Sequence, residues 1–514
     1  MSSVQQFFTS TDYLLSLPMI MLSLFAIGVL LIDLLLPAEW KRANAWTALI
    51  GLVFSAGAVA KIQSAYHLME SRGESARFVG FAGSVMVDRF AIYFFYLFLA
   101  GAAVAIMMSV KYLDIERENH GEFYALILFS VVGMMGMACG YDIVLIFISL
   151  ELMALSTYVL VGFLRRDQRS NEAALKYLIL GAFSSGIFAY GLSLFYGLSG
   201  STNVRQIALK LEEHYRTNPN DPVAILALIT VATGLFFKIA AVPFHQWAPD
   251  AYEGAPTSIT GFMSVAVKAA GWVMLLRIFL YMLYPLRPVY LPMLIFVAIA
   301  TMTGGNLAAL TQDNTKRLLA YSSISHVGYM LLGLVAGTAT EANTTGIKGI
   351  LVYLLVYTFM NLGAFAVITS LRRRDIIGDN LSDLDGLMQK APTEAILMLI
   401  FLLSLAGIPP LAGFYGKYFI FLSLVETGHY TLAAVAVLYA VLGLYYYLKI
   451  ANAMLMRPAA SPEPIAMSPG LRLALAITAI ATVGIGLMPD FFIRAVNWSL
   501  NVPQAGSIAN LIGR

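Results

Sequence analysis

Residues 234–257 read GLFFKIAAVPFHQWAPDAYEGAPT, a composition that no uninterrupted membrane helix would carry. Lys238 stands inside an apolar run, Pro243 follows it, and His245, Trp247, Pro249, Asp250 and Glu253 crowd in behind. A lysine at bilayer depth costs roughly 2.5–3.5 kcal/mol even on lenient insertion scales. Pro243 removes a backbone donor and clashes with the preceding turn, so the helix is expected to break or kink just past the lysine. Broken helices at membrane depth persist only where they are buried in protein or line a wet cavity. An ionisable group beside such a break points to an ion or proton path.

The rest of the chain agrees with a membrane setting. Of 514 residues 59% are apolar and only 12% charged, which excludes a soluble globular protein and indicates an all-α polytopic membrane protein. The net charge of +3 comes without a basic stripe, so nucleic acid is not an expected partner. The single cysteine, Cys139, cannot form an internal disulfide or hold an iron–sulfur cluster, which takes about four thiolates. The histidines at 67, 120, 214, 245, 326 and 429 show no metal-ligand spacing. No cofactor or metal is therefore expected in this chain. The N-terminal MSSVQQFFTSTDY lacks the basic region of a cleavable signal, so the first apolar run is expected to stay as a span.

About fourteen segments are long enough to cross a hydrocarbon core of about 30 Å: 12–36, 44–65, 87–109, 122–140, 141–163, 171–198, 222–247, 256–281, 288–312, 315–338, 346–370, 393–425, 431–455 and 469–490. Only Gly140, Tyr141 and Asp142 separate the fourth from the fifth. Loops after odd-numbered spans hold most of the basic residues, including Arg165, Arg166, Arg169, Lys316, Arg317 and the run Arg372 to Arg374. The positive-inside bias then places those loops in the cytoplasm and both termini outside. Prolines interrupt two long segments, Pro243 in the seventh and Pro409–Pro410 in the twelfth. Each is the fourth of a set of five, and since five is odd the second set is inserted upside down. That is the pointer expected of two inverted five-helix repeats, each with one broken helix. The expected units are 1–121 (helices 1–3), 122–281 (first repeat), 282–455 (second repeat) and 456–514 (helix 14 and tail), with helices 1–3 and 14 peripheral.

Four ionisable residues fall at or near mid-membrane on different spans. Glu151 lies about 15 Å along its helix from Tyr141, and Lys268 about 18 Å from Pro256, at 1.5 Å per residue. Lys238 and Lys417 belong to the two broken helices. Desolvation lowers a lysine's proton affinity and an approaching carboxylate restores it, so small displacements can load or unload a proton. The competing reading is structural: Glu151 and Lys238 as a static ion pair, His245 and His326 as core histidines. Small neighbours around Lys268 (Ala266, Ala269, Ala270, Gly271) are expected to leave room for water. Most tyrosines are expected to face lipid or fill space.

The runs SLELMALSTYVLVGF (149–163), FKIAAVPFHQWAPDAYEGAPT (237–257), VKAAGWVMLLRIF (267–279), NTKRLLAYSSISHVGYMLLG (314–333) and LAGIPPLAGFYGKYF (405–419) resemble the antiporter-like membrane subunits of respiratory complex I and of multi-subunit sodium/proton antiporters. Within that family DAYEGAPT, and a lysine at 417 where the M-type branch has glutamate, resemble the N-type (ND2-type) branch. The resemblance implies a modulating pair Glu151–Lys238, a central relay Lys268, a terminal carrier Lys417, and His245 and His326 between them. It implies the two inverted five-helix repeats, and proton translocation coupled to quinone reduction in a bacterial inner membrane. NADH, FMN, iron–sulfur clusters and quinone would sit on partner subunits, namely other membrane-arm subunits and a peripheral redox arm. A sodium/proton antiporter subunit and a non-translocating scaffold remain the alternatives.

Overall fold

A computed structural model describes residues 9–72, 78–339, 344–372, 378–459 and 467–500. Arg373 and Arg374 of the expected cytoplasmic basic run lie outside the described residues. The membrane helices are α1 (Ser10–Leu35), α2 (Ala43–Ser71), α3 (Arg89–Glu116), α4 (Gly121–Cys139), α5 (Ile143–Val161) and α6 (Gln168–Ser199). A short surface helix α7 (Val204–Thr217) precedes the interrupted pair α8 (Pro222–Ile239) and α9 (Trp247–Gly254). Then come α10 (Thr257–Met282), α11 (Arg287–Leu310), α12 (Thr315–Ala339), α13 (Thr345–Leu371), the second interrupted pair α14 (Pro392–Ala406) and α15 (Ala412–Glu426), α16 (Tyr430–Met456), α17 (Pro469–Leu487) and α18 (Pro489–Leu500). Thirteen helices among the described residues are long and apolar enough to cross a membrane, and α14 is a shorter apolar helix of 15 residues.

Aspartates write several helix starts. Asp88, Asp142 and Asp221 each accept a backbone N–H from the first turn of α3, α5 and α8, satisfying donors that have no intrahelical partner. The Asp142 cap settles the narrow gap at 140–142: α4 ends at Cys139 and α5 starts at Ile143 as separate spans. The breaks fall where the prolines stand. α8 stops at Ile239, short of the expected 247, and closes on Ala240 with φ of 59°. α14 closes on Gly407 with φ of 87°, a conformation glycine adopts without strain.

Burial sorts the helices. The apolar windows of α10 and α12 are each 94% buried, those of α1 and α16 only 28%. Helix α3 is a correction to the sequence reading. It was expected to be peripheral, yet its window is 83% buried and it packs on α10, α13 and α17. Uniformly apolar sequence looks the same facing lipid or facing protein, because lipid tails are as apolar as leucine. Small residues set the tightest contacts: a Cβ on Gly305 of α11 would stand 2.6 Å from the Ser325 backbone nitrogen of α12, and one on Gly328 of α12 would stand 2.8 Å from that of Met302.

Three features had no sequence forecast. A hairpin pairs Phe78–Gly80 with Val85–Val87. The amphipathic α7 buries Val204, Ile207, Ala208 and Leu211. Helix α10 carries π-turns at Met263–Val267 and Ile278–Met282, on either side of the segment that begins with Lys268.

Candidate functional site

Lys238 lies in the last turn of α8 and is 4% exposed. Its ammonium sits 5.7 Å above the ring of Tyr158 on α5, a cation–π geometry. No ion pair joins it to Glu151 among the described residues. Depth explains the choice of partner: Lys238 is about 24 Å along α8, Tyr158 about 22 Å along α5, and Glu151 only about 12 Å, at 1.5 Å per residue. Helix α6 lies between α5 and α8 and packs on both. Tyr158 reaches across because α6 has a glycine there: a Cβ on Gly181 would stand 2.0 Å from the Tyr158 hydroxyl. Glu151 is half-buried at the margin of the outward stripe formed by Ile148, Leu152 and Leu155. Its Oε1 is buried and has no hydrogen-bond partner among the described residues.

Lys268, 2% exposed, bonds Ser323 Oγ of α12 at 2.5 Å and lies 5.8 Å from the ring centroid of Tyr252 on α9. Its small neighbours pack helix against helix: a Cβ on Gly271 would meet Ile239 at 3.2 Å and the Lys238 backbone at 3.5 Å. That glycine draws the end of α8 onto α10. Lys238 and Lys268 are thereby carried on touching segments.

His326 is fully enclosed on α12. Its Nδ1 is hydrogen-bonded to the Tyr353 hydroxyl of α13, and its Nε2 lies 2.8 Å from the Tyr447 hydroxyl of α16. Tyr447 in turn lies 2.5 Å from Ser322 Oγ, the neighbour of the serine that holds Lys268. Lys417 on α15 donates to the Ala406 and Leu405 carbonyls at 2.7 and 3.2 Å and stands 5.4 Å over the Tyr329 ring. Those carbonyls end α14, where the break leaves them without helical partners. Sequence reading found His326, its serines and Lys417. It missed Tyr158, Tyr353 and Tyr447, because a tyrosine in an apolar helix looks the same whether it packs or bonds.

His245 lies in the loop between α8 and α9, with a buried Nδ1 that has no partner among the described residues. No hydrogen bond links it to Lys238 or Lys268 there. Asp250 and Glu253, conspicuous in the opening stretch, do another job. Arg317 grips both, at 2.7 and 2.8 Å, and Lys316 donates to the Glu253 and Ala255 carbonyls at 2.7 Å each. Two of the motif runs are thus tied together at one end of the bundle. Asp379 stands 3.7 Å from Lys316. Burial raises its carboxyl above the ordinary range while Lys316 opposes the rise. At the other end, Arg277 makes a two-pronged bond to Asp88 (2.6 and 2.7 Å) and reaches the Ala138 carbonyl, fastening α10 to α3 and α4.

Residues 140–443 match the family described as NADH:quinone oxidoreductase/Mrp antiporter, TM. That span holds every ionisable residue just described on the lysine row. The chain belongs to this family of membrane subunits. Over 512 residues, the whole of both chains, it is 68% identical to NADH-quinone oxidoreductase subunit N 1 of Koribacter versatilis. A chain of respiratory complex I from Thermus thermophilus matches with a TM-score of 0.76 at 32% identity, over 93% of this chain and 99% of that one. A chain of the Mrp complex from Dietzia shares the fold, with a TM-score of 0.77 at 21% identity over 97% and 98% of the two chains. Within the NADH:quinone oxidoreductase/Mrp antiporter family, the match along the full length is to a subunit N.

Proposed function

We propose that this chain is a proton-translocating, antiporter-like subunit of an NADH:quinone oxidoreductase, multi-pass in a bacterial inner membrane and coupling quinone reduction to proton pumping. The observation that carries this reading is the row of buried ionisable groups: Lys238 on Tyr158, Lys268 on Ser323, His326 between two tyrosines, and Lys417 at the broken end of α14. Four such groups at membrane depth are costly for a scaffold. Lys268 is the central relay and Lys417 the terminal carrier. Glu151 adjusts Lys238 and His326 passes protons between the lysines; His245 is kept as a further relay candidate. NADH, FMN, iron–sulfur clusters and quinone are held by the redox arm and other membrane-arm subunits. Fields near 100 mV shift one charge by about 2.3 kcal/mol, a scale that ion pairing can match.

Two inverted repeats, residues 122–281 and 282–455, flanked by 1–121 and 456–514, organise the row. Their support is the parallel order of packing: α4 lies on α5 as α11 lies on α12, and α6 packs on both halves of the broken pair α8 and α9 as α13 packs on both halves of α14 and α15. Both termini lie on the outer side. The test is NADH-driven acidification of sodium-free liposomes by the purified complex. Acidification that vanishes when this chain is missing from an otherwise active redox arm supports the reading, whereas acidification that persists without the chain, or that demands sodium, contradicts it.

A further inference from the structure

Resting on the relay reading of His326, we propose that Ser322, Tyr447, His326 and Tyr353 form a two-state hydrogen-bonded wire in which Tyr447 and Tyr353 are themselves proton-transfer residues. The links are Ser322 Oγ to Tyr447 Oη (2.5 Å), Tyr447 Oη to Nε2 (2.8 Å), and Nδ1 to Tyr353 Oη. No carboxylate pairs with the imidazole among the described residues, so the ring is neutral and carries one N–H.

Counting protons gives the wire its behaviour. Three hydroxyls and one N–H supply four protons for three hydrogen bonds, so one proton is always unshared. Only two arrangements make all three bonds. With Nδ1–H, Ser322 donates to Tyr447, Tyr447 to Nε2, and Nδ1 to Tyr353, and the unshared proton is on Tyr353. With Nε2–H every arrow reverses, and the unshared proton is on Ser322. Each tautomer therefore belongs to one loaded end. The Ser322 end adjoins Ser323, which holds Lys268. The Tyr353 end packs on the backbone beside Lys417, since a Cβ on Gly416 would meet its ring at 3.0 Å.

Transfer from Lys268 to Lys417 runs only in the Nδ1–H arrangement. The Lys268 N–H bond breaks and Ser322 gains that proton. One proton then moves across each of the three links, Tyr353 releases its own, and a new N–H bond forms on Lys417. No oxidation state changes; within the imidazole the C=N double bond shifts from Cε1–Nε2 to Cε1–Nδ1. The two outer steps have no direct hydrogen bond among the described residues and are assigned to water. The wire is left in the Nε2–H arrangement and passes no second proton in that direction until the imidazole resets. One passage per reset makes His326 a valve as well as a relay.

The experiment uses the assembled complex in liposomes, with coupled NADH oxidation, proton pumping and the solvent deuterium isotope effect as readouts. Tyr447→Phe keeps the ring but removes the bridging hydroxyl. It should cut coupled turnover by roughly a hundredfold, the low end of what positioned proton transfer supplies, and raise the isotope effect. Tyr439→Phe, about two turns earlier on the same helix and bonded to Thr303 at 2.6 Å, should behave as the parent. Ser322→Ala severs the same link from its other side and should reproduce the Tyr447→Phe result if that variant assembles poorly. Normal turnover in Tyr447→Phe beside an impaired His326→Ala overturns the wire and leaves the relay reading standing. Normal turnover in both overturns both. A loss of rate with an unchanged isotope effect also overturns the wire.

Discussion

The Lys417 ammonium lies 2.7 Å from the Ala406 carbonyl oxygen, so a cation carried by α15 closes the open end of α14. A helix C-terminus carries partial negative charge, and free carbonyls there favour a cation. The break and the lysine therefore belong together: without the break the carbonyls would be consumed inside the helix. Lys238 achieves a related placement differently, in the last turn of its own helix.

Lys417→Ala leaves two buried carbonyls without their donor, at a cost of about 1–3 kcal/mol each if they stay unsatisfied. The assembled variant should lose most coupled turnover. Lys417→Arg keeps a donor but holds its proton too tightly to release it. It should assemble as the parent does, by native gel, and still fail to pump. Pumping at the parental rate in Lys417→Arg would remove Lys417 from the relay.

Gly181 carries no chemistry, yet its substitution should reach the site. A Cβ there collides with the Tyr158 hydroxyl, and Tyr158 is the ring beneath Lys238. Gly181→Ala should lower coupled turnover in the assembled complex, with Ala182→Gly on the same helix as a control that leaves it unchanged. Unaltered turnover in Gly181→Ala would show that the Lys238–Tyr158 contact is dispensable.

Arg277 makes a different kind of prediction. Breaking a buried pair by removing one partner typically costs about 3–5 kcal/mol. Arg277→Ala should therefore reduce the yield of assembled complex on native gels, and Arg277→Lys should restore it only in part because the two-pronged geometry is lost. Parental yield and melting temperature in Arg277→Ala would contradict its role as the fastener of α10.

The proposed orientation rests on the basic loops. With Arg317, Arg169 and Lys390 on the cytoplasmic side, a cysteine introduced as Lys390→Cys should react with a membrane-impermeant thiol reagent only from the cytoplasmic face. Labelling from outside would mean that the count of crossings before α14 is wrong by one.

Much of this fold is legible in the sequence because each crossing is a long apolar run bounded by turn residues, and the aspartate at 142 marks a helix start even where the gap is narrow. The breaks at Pro243 and Pro409–Pro410 are legible because proline forbids the alternative. The centrality of α3 is not, since apolar sequence does not say what it touches. The π-turns around Lys268 leave no mark in residue type. Lysines in apolar helices announce themselves by their cost; the rings against Lys238 and Lys417, Tyr158 and Tyr329, do not, because each comes from another helix. The Glu151–Lys238 pair is an implication of the resemblance, whereas the ring that the structure sets against the lysine, Tyr158, lies further along the helix that carries Glu151.

The central claim is that Lys268 carries protons, and the most direct measurement is proton pumping per NADH oxidised by the assembled Lys268→Ala complex. Alanine fits among Ala269, Ala270 and Gly271, so assembly should survive. The account predicts that oxidation and pumping fall together by about tenfold or more, equivalent to at least about 1.4 kcal/mol on the barrier. Parental pumping stoichiometry at parental turnover in that complex would contradict it.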